Sequence, residues 1–412
     1  MPVFKPFKAS RPTRDKVGLI ASRTYETYSK AEREARLDHN PFSFLHIVNP
    51  GYKYHKEISG PQRFNLVKNR YEEFKEDGNF IKDKKPLFYL HKIVYRHQTE
   101  FIGIVGAASV EDYEQGAIKK HEDTIAEKVD VFKDYLKTVR FNADPVLLTY
   151  KQNEVIEQIS QKLMQERAEY EFTTTSRETH YLWLISNEED INSIQKACQQ
   201  TDCFYIADGH HRSSSSIALK QDLEKANPKH TGNEAYNYFM SYLIPENQLK
   251  IFEFNRLVSS LNNLDPESFL IALDEYYKIE NRGQDYFKPS AKHEFSMYLE
   301  GEFYSLILRK KAYKFTDALS KLDAQVLYDT ILNPILGIKD LRNDKRIAYV
   351  QGQKDMAYVK GAVDQGDYAV GFGMFPTSVN EIKTIADEGL VMPPKTTYID
   401  PKLRSGICIY EF

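Results

Sequence analysis

Phe204-Tyr205-Ile206-Ala207-Asp208-Gly209-His210-His211-Arg212, running on through Ser213-Ser214-Ser215-Ser216, is the stretch that decides how the rest of the chain reads. An apolar strand enters a glycine turn and leaves it as a helix, predicted over residues 213–225. The neighbouring pattern alternates. Residues 181–185 read as a strand, 188–198 as a helix, 203–207 as a strand and 238–244 as another strand. Such alternation predicts an α/β fold, with mixed α+β sheets where hairpins join it.

The turn carries chemistry as well as topology. The start of a helix presents N–H groups and a dipole that favour an anion. Gly209 allows close backbone approach, and Arg212 supplies a forked permanent cation. Ser213 and its neighbours offer hydroxyl donors, and His210 and His211 can donate to an oxyanion or move a proton. Capping by Asp208 would explain an Asp-Gly pair alone. It does not call for His-His-Arg, so a phosphate-bearing ligand is the expectation here.

Outward from this stretch, residues 146–150 read as a strand and 153–168 as an amphipathic helix carrying Ile156, Ile159 and Leu163 on one face. Residues 87–95 and 101–108 read as a hairpin. Residues 61–77 form a helix with Phe64, Val67, Tyr71 and Phe74 at helical spacing. His121-Glu122-Asp123-Thr124 opens a helical stretch to about residue 138. A carboxylate beside a histidine suits a base or a metal ligand, and a charged helix start accounts for the same residues. Further on, residues 294–299 and 303–308 make a hairpin, 322–332 and 379–388 are helices, and the last strand is 407–410. Met392-Pro393-Pro394-Lys395-Thr396-Thr397-Tyr398 is a proline-stiffened loop bearing Lys395 and two hydroxyls, an anion clamp or a rigid connector. Gly371-Phe372-Gly373 lacks the context of a dinucleotide fingerprint. Weak boundaries near residues 150 and 255 divide the chain into an N-terminal α+β region (1–150), a region with the turn (151–255) and a C-terminal α+β region (256–412).

Composition narrows the function classes. The 412 residues are 41% hydrophobic and 28% charged, with a net charge of -3, so a sizeable core can be buried and a nucleic-acid partner is disfavoured. Cys198, Cys203 and Cys408 form neither a disulfide framework nor a zinc site. They read as small buried apolar residues. The N-terminus lacks a signal-peptide apolar core, and no run reaches membrane-span length. The expected location is cytoplasmic, with no membrane partner and homo-oligomerisation left open.

These motifs together resemble the DUF1015 family over nearly the whole chain. The resemblance rests on Asn40-Pro41, His121-Glu122-Asp123-Thr124, Asp208-Gly209-His210-His211-Arg212, residues 322–338 with Pro334-Ile335-Leu336-Gly337, Met392-Pro393-Pro394-Lys395-Thr396-Thr397-Tyr398, and Pro401-Lys402-Leu403-Arg404-Ser405-Gly406. Arg23-Thr24-Tyr25-Glu26 stands where relatives tend to carry Pro-Pro-Tyr-Asp, so no role is carried over to that turn. The Gly-His-His-Arg turn is also similar to the nucleotide-phosphate turn of the ParB/sulfiredoxin superfamily, which includes free serine kinases. His210 occupies the position of sulfiredoxin's cysteine, so reductase chemistry is not implied.

That resemblance implies a ParB/sulfiredoxin-like nucleotide module embedded in a larger multi-lobed chain. It implies phosphotransfer from ATP or ADP, with Mg²⁺, to a small hydroxylated metabolite, free serine among the candidates. Gly209, His211, Arg212, Ser213, Lys395 and Thr396 would hold phosphates. Glu122, Asp208 and His210 would serve catalysis, with Glu122 also reaching Mg²⁺ and His121 and Thr124 as further candidates. The 121–124 and 392–398 motifs are expected to fold back onto the turn. The alternative is a nucleotide-binding regulatory protein without turnover.

Overall fold

The computed structural model describes residues 1–412. Two compact units make up the chain: residues 1–119, 124–249 and 401–412 form the first, and residues 120–123 and 250–400 the second.

The first unit is built on a nine-stranded mixed sheet. Its order is Ile118–Lys119, Phe204–Asp208, Val146–Tyr150, Tyr238–Pro245, Glu100–Ser109, Phe88–Val94, Thr179–Ile185 and Tyr170–Thr173, with Phe4–Lys5 added against Glu100–Ser109. Tyr238–Pro245 runs parallel to Val146–Tyr150, whereas Phe204–Asp208 runs antiparallel to it. The predicted hairpin is present, with Tyr89 opposite Val105 and Ile93 opposite Phe101. Alternate strand residues Phe88, Leu90, Ile104, Val146, Leu148, Phe204 and Ile206 point into one core. Ile156, Ile159 and Leu163 of the helix Glu154–Leu163, and Ile194, Ala197 and Cys198 of the helix Glu188–Gln199, close that core. Asn153 and Asn187 cap these two helices through their side chains.

The boundary predicted near residue 150 falls inside this unit, because strands from either side of it share one ladder. The boundary predicted near 255 lies close to the passage from the first unit to the second at residue 249. Two elements differ from prediction. The helix expected over 153–168 stops at Leu163, because Tyr170–Thr173 is drawn off to pair with Thr179–Ile185. The helix expected from residue 121 starts at Ala126, and His121 to Thr124 are not helical. Cys198 and Cys408 are buried, and Cys203 is half-buried.

The second unit carries a seven-stranded antiparallel sheet. Its order is Tyr277–Gly283, Glu302–Leu308, Glu294–Leu299, Val370–Met374, Lys250–Val258 and Ile347–Gln351, with Thr397–Asp400 paired to the first half of Lys250–Val258. The predicted helix over 322–332 is Asp323–Leu327 followed by a wider π turn, Tyr328–Leu332. Asn333 N–H reaches back to Tyr328 O at 3.0 Å just before Pro334, which has no N–H to extend the helix. The helix Val379–Asp387 has a full capping box from Ser378 and Glu381, and Gly389 follows in the left-handed region at φ 68°. Gly371 and Gly373 serve packing: a Cβ there would stand 2.1 Å from Val359 Cγ1 and 2.6 Å from Met356 Sδ of the helix Asp355–Asp364. Both units mix helices with sheets, and the fold class is α/β with mixed sheets. No helix is long and apolar enough to cross a membrane.

Candidate functional site

The strand Phe204–Asp208 runs into the 17-residue helix His210–Ala226 through Gly209 alone. Gly209 sits at φ 100°, where an L side chain is strained. Its virtual Cβ would meet Val146 at an ordinary 3.4 Å, so the backbone angle rather than crowding demands glycine. The helix begins three residues earlier than predicted. His210, His211 and Arg212 therefore form its first turn, and no side chain caps it.

Arg212 is half-buried, and its Nη1 donates to Pro145 O at 2.5 Å. It lines a small pocket with Phe132, Tyr135, Asn142, Asp144 and Ser216, about 350 Å³ including space open to solvent. The turn joins a strand to a helix, and of its residues Arg212 lines this pocket. His211 Nε2 accepts the backbone N–H of Ile125 at 3.2 Å, which leaves its ring proton on Nδ1. His210 is buried, 4% exposed.

Asp208 lies at the strand end and accepts a hydrogen bond from Lys402 Nζ at 3.0 Å. Burial on its own pushes this carboxyl up. The charges of Lys402 and then Arg212 outweigh burial and hold it well below the usual carboxylate range. Roughly two-fifths of each side chain of the pair stays exposed, so solvent screens part of that effect. Asp208 is thus ionised and paired with the Lys402 cation.

The hydroxyls of the serine run mostly bond within their own helix. Ser213 Oγ is fully buried and bonds to His210 O at 3.0 Å, Ser215 Oγ to His211 O at 2.7 Å, and Ser216 Oγ to Arg212 O at 2.9 Å. Small hydroxyls inside a helix bond back to its carbonyls in this way. Ser214 instead faces Tyr113 OH and Thr124 Oγ1, at 3.4 and 3.5 Å.

Lys402 lies in a motif that carried the family resemblance, but sequence reasoning gave it no role in the site. Pro401 to Gly406 returns into the first unit as a tethered strap. Arg404 donates from Nη2 and Nε to Glu178 Oε2, at 2.6 and 3.1 Å, and from Nη2 to Ser176 Oγ at 2.7 Å. Ser405 exchanges backbone hydrogen bonds with Ser22 and donates its hydroxyl to Asp144. The strap motif was visible in the sequence, but nothing local tells which of its two cations meets Asp208. Beneath Glu178 lies a buried histidine pair: His91 Nε2 and His180 Nδ1 are 3.0 Å apart, and His180 stacks on Phe172.

In the second unit, Met392 N–H donates to His121 O at 2.9 Å, so the 121–123 segment lies against the start of the proline loop. Glu122 is half-buried and Lys395 is exposed. Thr396 is 5% exposed, and its hydroxyl donates to Pro393 O at 2.6 Å. No group of three or more His, Cys, Asp or Glu side chains is clustered so as to hold a metal.

The family profile described as a protein of unknown function, DUF1015, matches residues 4–325. No curated protein matches the chain. Among solved structures, a free serine kinase in complex with AMP is 13% identical, covering 74% of this chain and 91% of that one with a TM-score of 0.34. SbnI with a C-terminal truncation, from Staphylococcus aureus, is 12% identical over 74% of this chain and 85% of that one, with a TM-score of 0.39. A conserved hypothetical protein from Pyrococcus furiosus is 13% identical over 74% and 94%, with a TM-score of 0.35.

Proposed function

The chain belongs to the DUF1015 family, and on that premise we propose that it is a nucleotide-dependent phosphotransferase acting on a small hydroxylated metabolite, with free serine the first acceptor to test. The observation that carries this reading is the Gly209 turn. It leads a strand into a helix start that no side chain caps, with Arg212 in the first helical turn and Lys402 paired to the residue before the glycine. Helix start, backbone close approach and a forked cation are what nucleotide phosphates require.

In this reading Gly209, His211 and Arg212 cradle the phosphates, and Lys395 is a further phosphate cation. His210 donates to an oxyanion or moves a proton at the helix start. Glu122 or Asp208 takes the proton from the acceptor hydroxyl. The hydroxyl oxygen bonds to the terminal phosphorus as the bond to the bridging oxygen breaks, leaving ADP when ATP is the donor. Glu122 would help to hold Mg²⁺, which would supply positive charge to the phosphates. Positioning and charge stabilisation supply most of such catalysis.

Two measurements test the proposal. A thermal-shift screen with ATP, ADP and CTP should reveal a nucleotide, since a ligand at a hundred times its Kd adds about 2.7 kcal/mol. Nucleotide consumption is then followed with and without a panel of hydroxylated amino acids. Consumption that depends on one acceptor supports the kinase. Binding with no consumption under any acceptor makes the protein a nucleotide-gated regulator, and no binding of any nucleotide overturns both readings.

A further inference from the structure

Arg256 is the largest fully buried side chain in the molecule, 1% exposed, in the strand Lys250–Val258. It has no acidic partner. Its Nη1 donates to Phe254 O at 2.6 Å, its Nη2 donates to Lys395 O at 2.9 Å, and its guanidinium lies 4.5 Å from the centre of the Tyr349 ring. Burial pushes its pKa down to about 10, against a smaller opposing influence from Tyr349. A buried cation with two carbonyls and a ring face but no counterion is costly to keep, so the contacts it makes call for an account.

The carbonyl at its far end belongs to a strained residue. Lys395 sits at φ 57°, in the left-handed region that side-chain-bearing residues avoid. The loop around it is pinned at both ends. Met392 N–H is bound to His121 O, Thr396 Oγ1 to Pro393 O, and Thr397 enters the sheet opposite Glu253. Between those pins the Lys395 side chain is exposed, with its ammonium 5.5 Å from the centre of the Phe254 ring. The buried cation and the exposed one are thus joined through a single carbonyl.

We propose that Arg256 is a positioning residue that clamps Lys395 in its left-handed conformation and so presents the Lys395 ammonium, preorganised, to an anionic ligand of the phosphate class. The clamp is a property of the second unit alone. The ligand half of the inference rests on the phosphotransfer reading, in which Lys395 holds phosphate. Clamping lowers the conformational entropy lost when the loop binds, and proline at positions 393 and 394 works in the same direction.

The clamp is tested without any ligand. With Arg256 intact, Lys395→Gly should melt about 2–4 °C above Lys395→Ala, because glycine alone tolerates the imposed backbone. In an Arg256→Met background the backbone is free to relax, and that gap should close. Arg256→Lys keeps a buried cation and serves if the methionine variant does not fold; with its fork lost, the gap should shrink there too. A gap of the same size in every background overturns the clamp. The presentation half is read by calorimetry with Mg·ATP and with inorganic tripolyphosphate. Lys395→Met should weaken both by roughly ten- to a hundredfold. Arg256→Lys should lose part of that affinity, and the double variant should be no weaker than Lys395→Met alone. Wild type that binds neither probe removes the phosphotransfer reading and, with it, the ligand half, while the melting result still decides the clamp. Wild type that binds both, with Arg256→Lys binding equally well, overturns the positioning role.

Discussion

Acid should weaken the first unit through one pair, Glu178 and Arg404. Glu178 Oε2 accepts from Arg404 at 2.6 and 3.1 Å, with the two side chains only 21% and 6% exposed. Burial alone would raise this carboxyl. Its neighbours His180 and Arg404 outweigh burial and bring it to about 2. Arg404 is the stronger cause on geometry. His180 Nε2 stands 3.8 Å away, outside hydrogen-bond reach, and burial lowers that ring's own proton affinity. Because the folded value is depressed, the stabilisation is present above the ordinary 4.5 and lost as pH falls toward about 2. At about 1.4 kcal/mol per pH unit the full effect is about 3 kcal/mol, an upper limit because the histidine contributes less than a hydrogen bond. Glu178→Gln removes the titration and leaves Arg404 buried without its counterion, a loss of about 3–5 kcal/mol at neutral pH. Urea unfolding of wild type and Glu178→Gln at pH 7 and pH 3 should show the gap between them shrinking by about 2 kcal/mol. A gap of equal size at both pH values refutes the reasoning, since it would mean that Glu178 titrates alike in folded and unfolded chains.

Arg212→Ala should weaken Mg·ATP binding by about 1.5–3 kcal/mol, the range for a charged hydrogen bond; unchanged affinity by calorimetry removes the turn as the phosphate site. Gly209→Ala should destabilise the first unit by about 1–2 kcal/mol through its left-handed backbone, measured by urea titration; a neutral change would show that the helix start can shift. Glu122→Gln and Lys395→Met should each abolish acceptor-dependent nucleotide consumption with the fold intact by circular dichroism. Combined, they should do little further harm, because groups acting as one unit are non-additive; full additivity would assign them to separate tasks.

The parts of the fold that sequence predicts best are those where local pattern and tertiary demand agree. The hairpin Phe88–Val94 with Glu100–Ser109 follows from two β-rich runs around a polar turn, and the helix Gly60–Glu76 from helical spacing whose Phe64, Val67, Tyr71 and Phe74 are buried. The weaker expectations fail where pairing partners are remote. Nothing near Tyr170–Thr173 announces a strand; it becomes one because Thr179–Ile185 offers an open edge. The boundary near residue 150 looked real because Val146–Tyr150 is followed by a polar helix start. The sheet nevertheless continues through Phe204–Asp208 and Tyr238–Pro245, and a hydrogen-bond ladder of that kind leaves no trace in composition.

The site divides along the same line. Gly209 and Arg212 were legible because each does its work within the turn: one sets a backbone angle, the other projects from the first helical turn. Ser213 and Thr396 are equally local, each hydroxyl bonding to the carbonyl three residues back. What local reading could not supply is the choice between cations. Lys402 and Arg404 stand two apart on one strap, and from sequence either could face Asp208. The strap settles the matter by burial. Arg404, with its fork, takes the enclosed partner Glu178, where several donors are needed to offset desolvation. Lys402, a single point of charge, is left for the more open carboxylate of Asp208. Burial thus sorts the two cations: the enclosed fork goes to Glu178, and the half-exposed ammonium goes to Asp208, beside the turn.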